Sequence, residues 1–228
     1  MCAPISSAAT DILSFFDVSG SNLLGSIGAN AFSRVMSKRI SASREILLEE
    51  LSDGTVLPNT VIEEDEWVAI TYRYGRAAME GTARLNLRLL AKCLKGDLNE
   101  SQLSADRFLY YTDIIASLTR EEINLIATLL RVRNLTSKDN YYSAGHASSA
   151  YQEAFKLLIP DVFRDGLEQK VCAAALTRHG LVFSYGGLDG GTTYGLSPLI
   201  DTLLSLADFD DAFQREGFNT FTDHSSDE

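Results

Sequence analysis

The most constraining stretch of this sequence runs from Arg178 to Ala207, where the residue pattern changes from helix to strand and back. Gly180 stops a helical run, and Leu181 to Tyr185 then reads as a strand. Gly186-Gly187-Leu188-Asp189-Gly190-Gly191 supplies a glycine-rich turn, and Thr192 to Leu196 is the returning strand of a β-hairpin. Ser197-Pro198 places an N-cap before a proline at the first helical position, so a closing helix is predicted over Leu199 to Ala207. One hairpin enclosed by helical patterns implies a mainly α fold.

Upstream, helical spacing dominates. Leu24, Ile27, Ala31, Val35 and Met36, continued by Ile40, Leu47 and Leu51, predict a long helix over Ser21 to Leu51. Gly25, Gly28 and Ala29 in its first turns imply either close backbone packing or a small-residue face for oligomer or membrane contact. After Ser52-Asp53-Gly54 and a loop over Val56 to Ile62, a second long helix is predicted from Glu63 to Lys95, with acidic residues at its start and Gly96-Asp97 at its end. Gln102 to Ser117 carries a broad apolar face. Thr119-Arg120-Glu121-Glu122 fits a capping box, so a helix begins there and runs to about Asn134. Ser137 to Gly145, with Tyr141 and Tyr142, reads as a loop, followed by helices over Ser148 to Ile159 and Phe163 to His179. In the last of these, Leu167, Val171, Ala174, Ala175 and Leu176 are expected to face inward.

Charge narrows the partners. The net charge of −11 divides into −6 over residues 1–70, +3 over 71–134 and −8 over 135–228. An acidic surface repels nucleic acid and anionic membranes, and only the middle third escapes that argument. There Arg84, Arg88 and Lys92 recur every four residues, extended by Arg73, Arg76 and Lys95. These six cations are the candidate anion- or partner-binding residues. One reading is a solvated face paired with the chain's excess carboxylates, the other a strip for a nucleic-acid backbone or an acidic partner. Tyr72 and Tyr74 are the aromatics close to it.

The order of helix, Gly-Leu-Val strand, hairpin, Thr-x-Tyr-x-Leu strand, Ser-Pro and helix resembles the second half of a winged helix-turn-helix domain. The capped helix from Thr119 would be its first helix, with Ser148 to Ile159 and Phe163 to His179 its second and third. Placed after long amphipathic helices, the segment from Leu85 to Ala207 is also similar to the bacterial abortive-infection-associated Abi-alpha family. That resemblance implies a prophage-linked or phage-defence role. The fold expected is therefore mainly α, with long helices followed by a winged-helix-like helical unit with one β-hairpin. Its divisions are a loose segment 1–20, a long-helix region 21–97, a winged-helix-like domain 98–207 with an inserted loop 135–147, and an acidic, partly disordered tail 208–228.

A DNA-reading winged helix uses its third helix and phosphate contacts from Lys and Arg. Here the segment Asp165 to His179 sets Lys170 and Arg178 against Asp165 and Glu168, and the wing carries Asp189 without a basic residue. DNA is disfavoured at the wing, and a protein partner is expected instead.

No catalytic residue set, metal site or cofactor motif emerges. Cys2, Cys93 and Cys172 form no CxxC pair, and His146, His179 and His224 have no neighbouring ligand at metal-binding spacing. His146 could serve as a loop general base, but a solvent-facing histidine is the simpler reading; His179 suits the negative end of its helix. The glycine-rich turn lacks the Lys-Ser/Thr of a phosphate loop. No signal peptide or spanning helix is read, which implies a cytoplasmic protein whose contact with membrane, if any, follows activation. The expected function is a non-catalytic protein-interaction or regulatory protein, with a nucleic-acid binder using 71–95 and a membrane-perturbing effector as the alternatives. Homo-oligomerisation stays open.

Overall fold

Glycine and capping residues cut this helix-forming sequence into nine helices and one hairpin among the described residues, which in the computed structural model are 28–52, 64–99, 105–135, 142–186 and 191–216. Helices α1 (Gly28–Ser52), α2 (Glu64–Glu80), α3 (Arg84–Asn99) and α4 (Ala105–Ser117) are followed by α5 (Arg120–Leu135), α6 (Ala144–Leu158) and α7 (Gly166–Thr177). Strands β1 (Val182–Gly186) and β2 (Thr192–Leu196) come next, then α8 (Pro198–Leu206) and α9 (Phe209–Arg215). The Gly25 end of the first helix, the 56–62 loop, the hairpin tip at 187–190 and the tail from Asn219 lie outside the described residues.

The chain divides into two units. The first holds the described residues up to Ser117, together with Leu206–Asp208; the second holds Leu118–Ser205 and the residues from Phe209. The helix α4, which lies within the 98–207 division read from the sequence, falls in the first unit, and the capped helix from Thr119 falls in the second.

In the first unit the single helix expected over 63–95 is two helices. Gly81, at φ +94°, ends α2 by the paired bonds of a Schellman turn: its N–H donates to Ala78 O and that of Thr82 to Ala77 O, both at 3.1 Å. Arg39 of α1 reaches across and donates from Nη1 to Met79 O at 2.9 Å, giving a C-terminal carbonyl a cationic partner. A side chain on Gly81 would fall 3.1 Å from that guanidinium. The following helix α3 is buried on every side from Leu85 to Leu94 and packs against α1, α2 and α4. Ile46, Ile70, Tyr74, Leu89, Leu90, Leu94, Phe108 and Ile115 form this core.

In the second unit the capping box is present as expected: Thr119 N–H donates to Glu122 Oε2 at 2.9 Å and Glu122 N–H to Thr119 Oγ1 at 3.2 Å. The helix expected from Ser148 begins a turn earlier, at Ala144, because Ser143 acts as N-cap and accepts from His146 N–H at 3.3 Å. Both α6 and α7 pack on α5, β2 lies along α6 and β1 contacts α7. The hairpin is antiparallel, pairing Val182 with Leu196 and Gly186 with Thr192. Gly195 lets β2 approach α6 closely, since a methyl group there would sit 2.5 Å from Ala147 Cβ. Ser197 caps α8 through Leu199 N–H at 3.2 Å and also bonds Gly180 O, tying the two ends of the hairpin together.

Within the segment read as an acidic, partly disordered tail, residues 209–215 form α9, whose Phe209, Ala212 and Phe213 are buried at the i, i+3, i+4 spacing of a helix face. One further expectation is corrected. In α7 Leu176 faces inward as expected, beside Gln169 and Ala173, whereas Leu167, Val171 and Ala174, expected on the same side, face outward.

Candidate functional site

The six cations predicted to form a ridge are distributed over two helices and meet different fates. Arg73 pairs with Asp113 of α4, and Arg76 with Glu80 one turn along at 2.6 Å. Arg84 is exposed and Lys95 half-buried. Arg88 and Lys92 are buried. The guanidinium of Arg88 donates to Glu50 Oε1 at 2.6 Å and to Glu49 Oε2 at 2.9 Å, while Lys92 Nζ lies 3.0 Å from Glu50 Oε2. Removing an ion from water costs several kcal/mol, roughly, and is tolerable only when the partner charge is in place. Two cations on α3 thus hold one fully buried carboxylate of α1. Nearby, the Tyr74 hydroxyl donates to Ser43 O at 3.0 Å, and burial pushes its ionisation far above the ordinary phenol range.

The second unit contains a small cleft between α5, α6 and β2, lined by Leu129, Arg133, Tyr142, His146, Ala147 and Leu196 among others. Its volume of about 20 Å³ has room for a water-sized group. Asp201 of α8 already engages its polar rim, pairing with Arg133 at 2.6 Å and accepting from the Tyr142 hydroxyl. The Tyr142 phenol is pushed up to about 12, by burial first and then by Asp201, so it stays a neutral donor. Tyr185 donates to Tyr142 O at 3.1 Å and fixes the turn. His146 is therefore not in an open loop: it sits half-buried in the first turn of α6, beside an Arg-Asp-Tyr set whose groups are turned on one another.

The outward face of α7 departs furthest from ordinary surface chemistry. Leu167 is 71% exposed and Val171, one turn on, is 64% exposed. Ala174 continues the stripe. The exposed ring of Phe155 on α6 borders it, packed so closely on Gly166 that a side chain there would fall 2.4 Å from its edge. On the opposite face Gln169 is fully buried, and neither of its amide atoms makes a hydrogen bond among the described residues. A buried amide without partners costs about 1–3 kcal/mol, and two exposed aliphatic side chains forgo a comparable gain. The helix thus buries Gln169 beside Ala173 and Leu176 and presents Leu167 and Val171 to water.

The start and end of α7 explain why this orientation holds. Asp165 caps the helix by accepting from Leu167 N–H at 2.9 Å and Glu168 N–H at 3.0 Å. At the other end Arg178 donates to Glu122 Oε1 at 3.2 Å and to His179 Nε2 at 2.7 Å. Partial burial and then Arg178 hold the His179 imidazole below its ordinary range. Cys172, on the flank, is pushed up to about 12 by burial and then by Glu122 and Glu121, which keeps it a thiol and suppresses nucleophilic character. No group of three or more metal-ligating side chains occurs among the described residues. No helix among them is long and apolar enough to cross a membrane.

Comparison of the chain with protein-family models, with curated proteins and with solved structures returned no match.

Proposed function

We propose that this chain is a non-catalytic protein-interaction or regulatory protein, and that the outward face of α7 is its docking surface. The observation that carries this reading is the inverted polarity of α7: Leu167 and Val171 in water, Gln169 in the core. Native sequences break local rules of this kind chiefly where function requires it, and contiguous exposed apolar surface marks interaction sites. In the winged-helix-like reading α7 occupies the third-helix position, and its apolar, nearly uncharged face suits a protein better than a phosphate backbone. The prophage-linked or phage-defence setting rests on the Abi-alpha resemblance.

The nucleic-acid alternative is weakened for four of the six cations of 71–95, because Arg88 and Lys92 are committed to Glu50, and Arg73 and Arg76 to Asp113 and Glu80. The experiment is affinity capture from the native host, with and without phage challenge, using wild-type protein and a Leu167→Glu/Val171→Glu variant of unchanged melting temperature. Partners held by wild type and lost by the variant are expected. An identical set from both would overturn the assignment.

A further inference from the structure

The first half of α1 carries cations that no carboxylate among the described residues meets. Arg34, Lys38, Arg39 and Arg44 are the basic residues of the first seventy, and no acidic residue occurs between Asp17 and Glu45. Arg34 and Lys38 are exposed and make no hydrogen bond or ion pair among the described residues. Arg39, also exposed, donates to a backbone carbonyl, Met79 O, and the neighbouring Glu80 is paired with Arg76 at 2.6 Å. Arg44 is half-buried beside Glu45, and that carboxylate sets it apart from the other three. Position adds to charge. Ser33 to Ala42 contains no buried residue, whereas Ser43, Ile46, Leu47 and Glu50 behind it are buried. Because Tyr74 bonds Ser43 O and Arg39 bonds Met79 O, α1 and α2 run antiparallel, and α2 ends at Glu80. Arg34 to Lys38 therefore extends beyond that end, Arg34 by about 7 Å. Val35, 47% exposed, has Lys38 and Arg39 as its neighbours one turn along the same face.

We propose that this half of α1 is a contact for an anionic membrane surface, with Arg34, Lys38 and Arg39 at the lipid headgroups and Val35 at the edge of the acyl chains. The α7 face has no part in it. A basic amphipathic helix binds such a surface through its cations, each adding about fivefold to partition on a phosphatidylserine-rich bilayer. The aliphatic stems of Lys and Arg lie against the apolar boundary while their charges stay in water. Other polyanions fit the face less well. A nucleic-acid backbone would use the cations and leave Val35 in water, and a protein interface of ordinary size would need a broader apolar centre than one valine. The extension of α1 past α2 matters because the chain carries a net charge of −11. At physiological salt charges are screened beyond about 8 Å, so a projecting helix end touches an anionic surface that the acidic remainder avoids.

The experiment sediments the full chain with vesicles of phosphatidylcholine alone or mixed equally with phosphatidylserine. The chain pellets with the phosphatidylserine vesicles, stays in solution with the others, and is released as salt is raised. Arg34→Gln/Lys38→Gln lowers the partition by about 25-fold, fivefold for each cation. Val35→Ser lowers it by about threefold. Ser41→Lys, one turn beyond Lys38 on the exposed stretch, raises it by about fivefold, a gain that misfolding does not produce. Leu167→Glu/Val171→Glu leaves it unchanged, so the two faces are tested separately. Equal sedimentation with both vesicles, sedimentation with neither, or binding indifferent to Arg34→Gln/Lys38→Gln overturns the proposal. Loss of binding in Leu167→Glu/Val171→Glu assigns the lipid contact to α7 and overturns it too. Duplex DNA and duplex RNA are titrated in parallel by fluorescence anisotropy. Binding of either duplex through Arg34 and Lys38, without binding to phosphatidylserine vesicles, assigns the face to a nucleic-acid backbone instead.

Discussion

Helices α3 and α7 depart from sequence expectation in opposite directions. The spacing of Arg84, Arg88 and Lys92 reads as a solvent-facing ridge, yet Arg88 and Lys92 are buried. The spacing of Leu167, Val171 and Ala174 reads as a core stripe, yet these residues face water. In α3 the polar groups turned inward are matched, because Glu50 meets both cations with near-ideal distances. In α7 the polar group turned inward, Gln169, is unmatched. Burial of charge that is met by opposite charge is a structural device that fixes how α1 lies on α3. Burial of polarity that is unpaired, opposite an exposed apolar face, is a cost without a structural return, and it is the ground on which the docking face is proposed.

Breaking the matched cluster has the largest expected effect. Glu50→Ala leaves two buried cations without their shared partner and lowers unfolding stability by about 3–5 kcal/mol in denaturant titration. Glu49→Ala, which removes only the half-exposed contact to Arg88, costs less than about 1 kcal/mol. Equal losses at the two positions would mean that burial is not what distinguishes the cluster. At α7 the sign reverses. Gln169→Leu replaces an unpaired amide with an apolar side chain of similar size and raises stability by about 1 kcal/mol. A loss there would show that the amide has a partner, and the contrast between the helices would fail.

Much of this arrangement was legible. The capping box at Thr119 and Glu122, the hairpin, and the Ser197-Pro198 start of α8 depend on local chemistry that short sequence patterns encode directly. The break at Gly81 was missed because the apolar spacing continues across it and no proline marks it; the glycine itself was the available signal. The buried face of α9 was overlooked in an acidic setting, although Phe209, Ala212 and Phe213 have helical spacing. The two inverted helices were not legible for a different reason. Which way Arg88 points is decided by Glu50, thirty-eight residues earlier on another helix. In α7 apolar residues occur on both sides, so periodicity assigns no unique inward face; packing on α5 and the hairpin makes that choice.

Smaller effects sharpen the same contrast. Because His179 is held below its ordinary value, the unfolded chain takes up a proton at higher pH than the folded one. Stability therefore falls as pH drops through the ordinary imidazole range near about 6.5 and levels off below the folded value. His179→Gln flattens that part of a stability-against-pH curve; a curve unchanged by the substitution would mean that the imidazole at the end of α7 titrates as in the unfolded chain. Leu167→Glu/Val171→Glu is expected to change unfolding stability by no more than about 0.5 kcal/mol, because both side chains are largely exposed. A large loss would place the stripe in the core.

The most direct test of the docking face is photo-crosslinking in growing cells of the native host, with a benzophenone side chain introduced at Val171. The account predicts a discrete adduct with a protein partner, lost when Leu167→Glu is added. Absence of any adduct, or an adduct that survives Leu167→Glu undiminished, would contradict it.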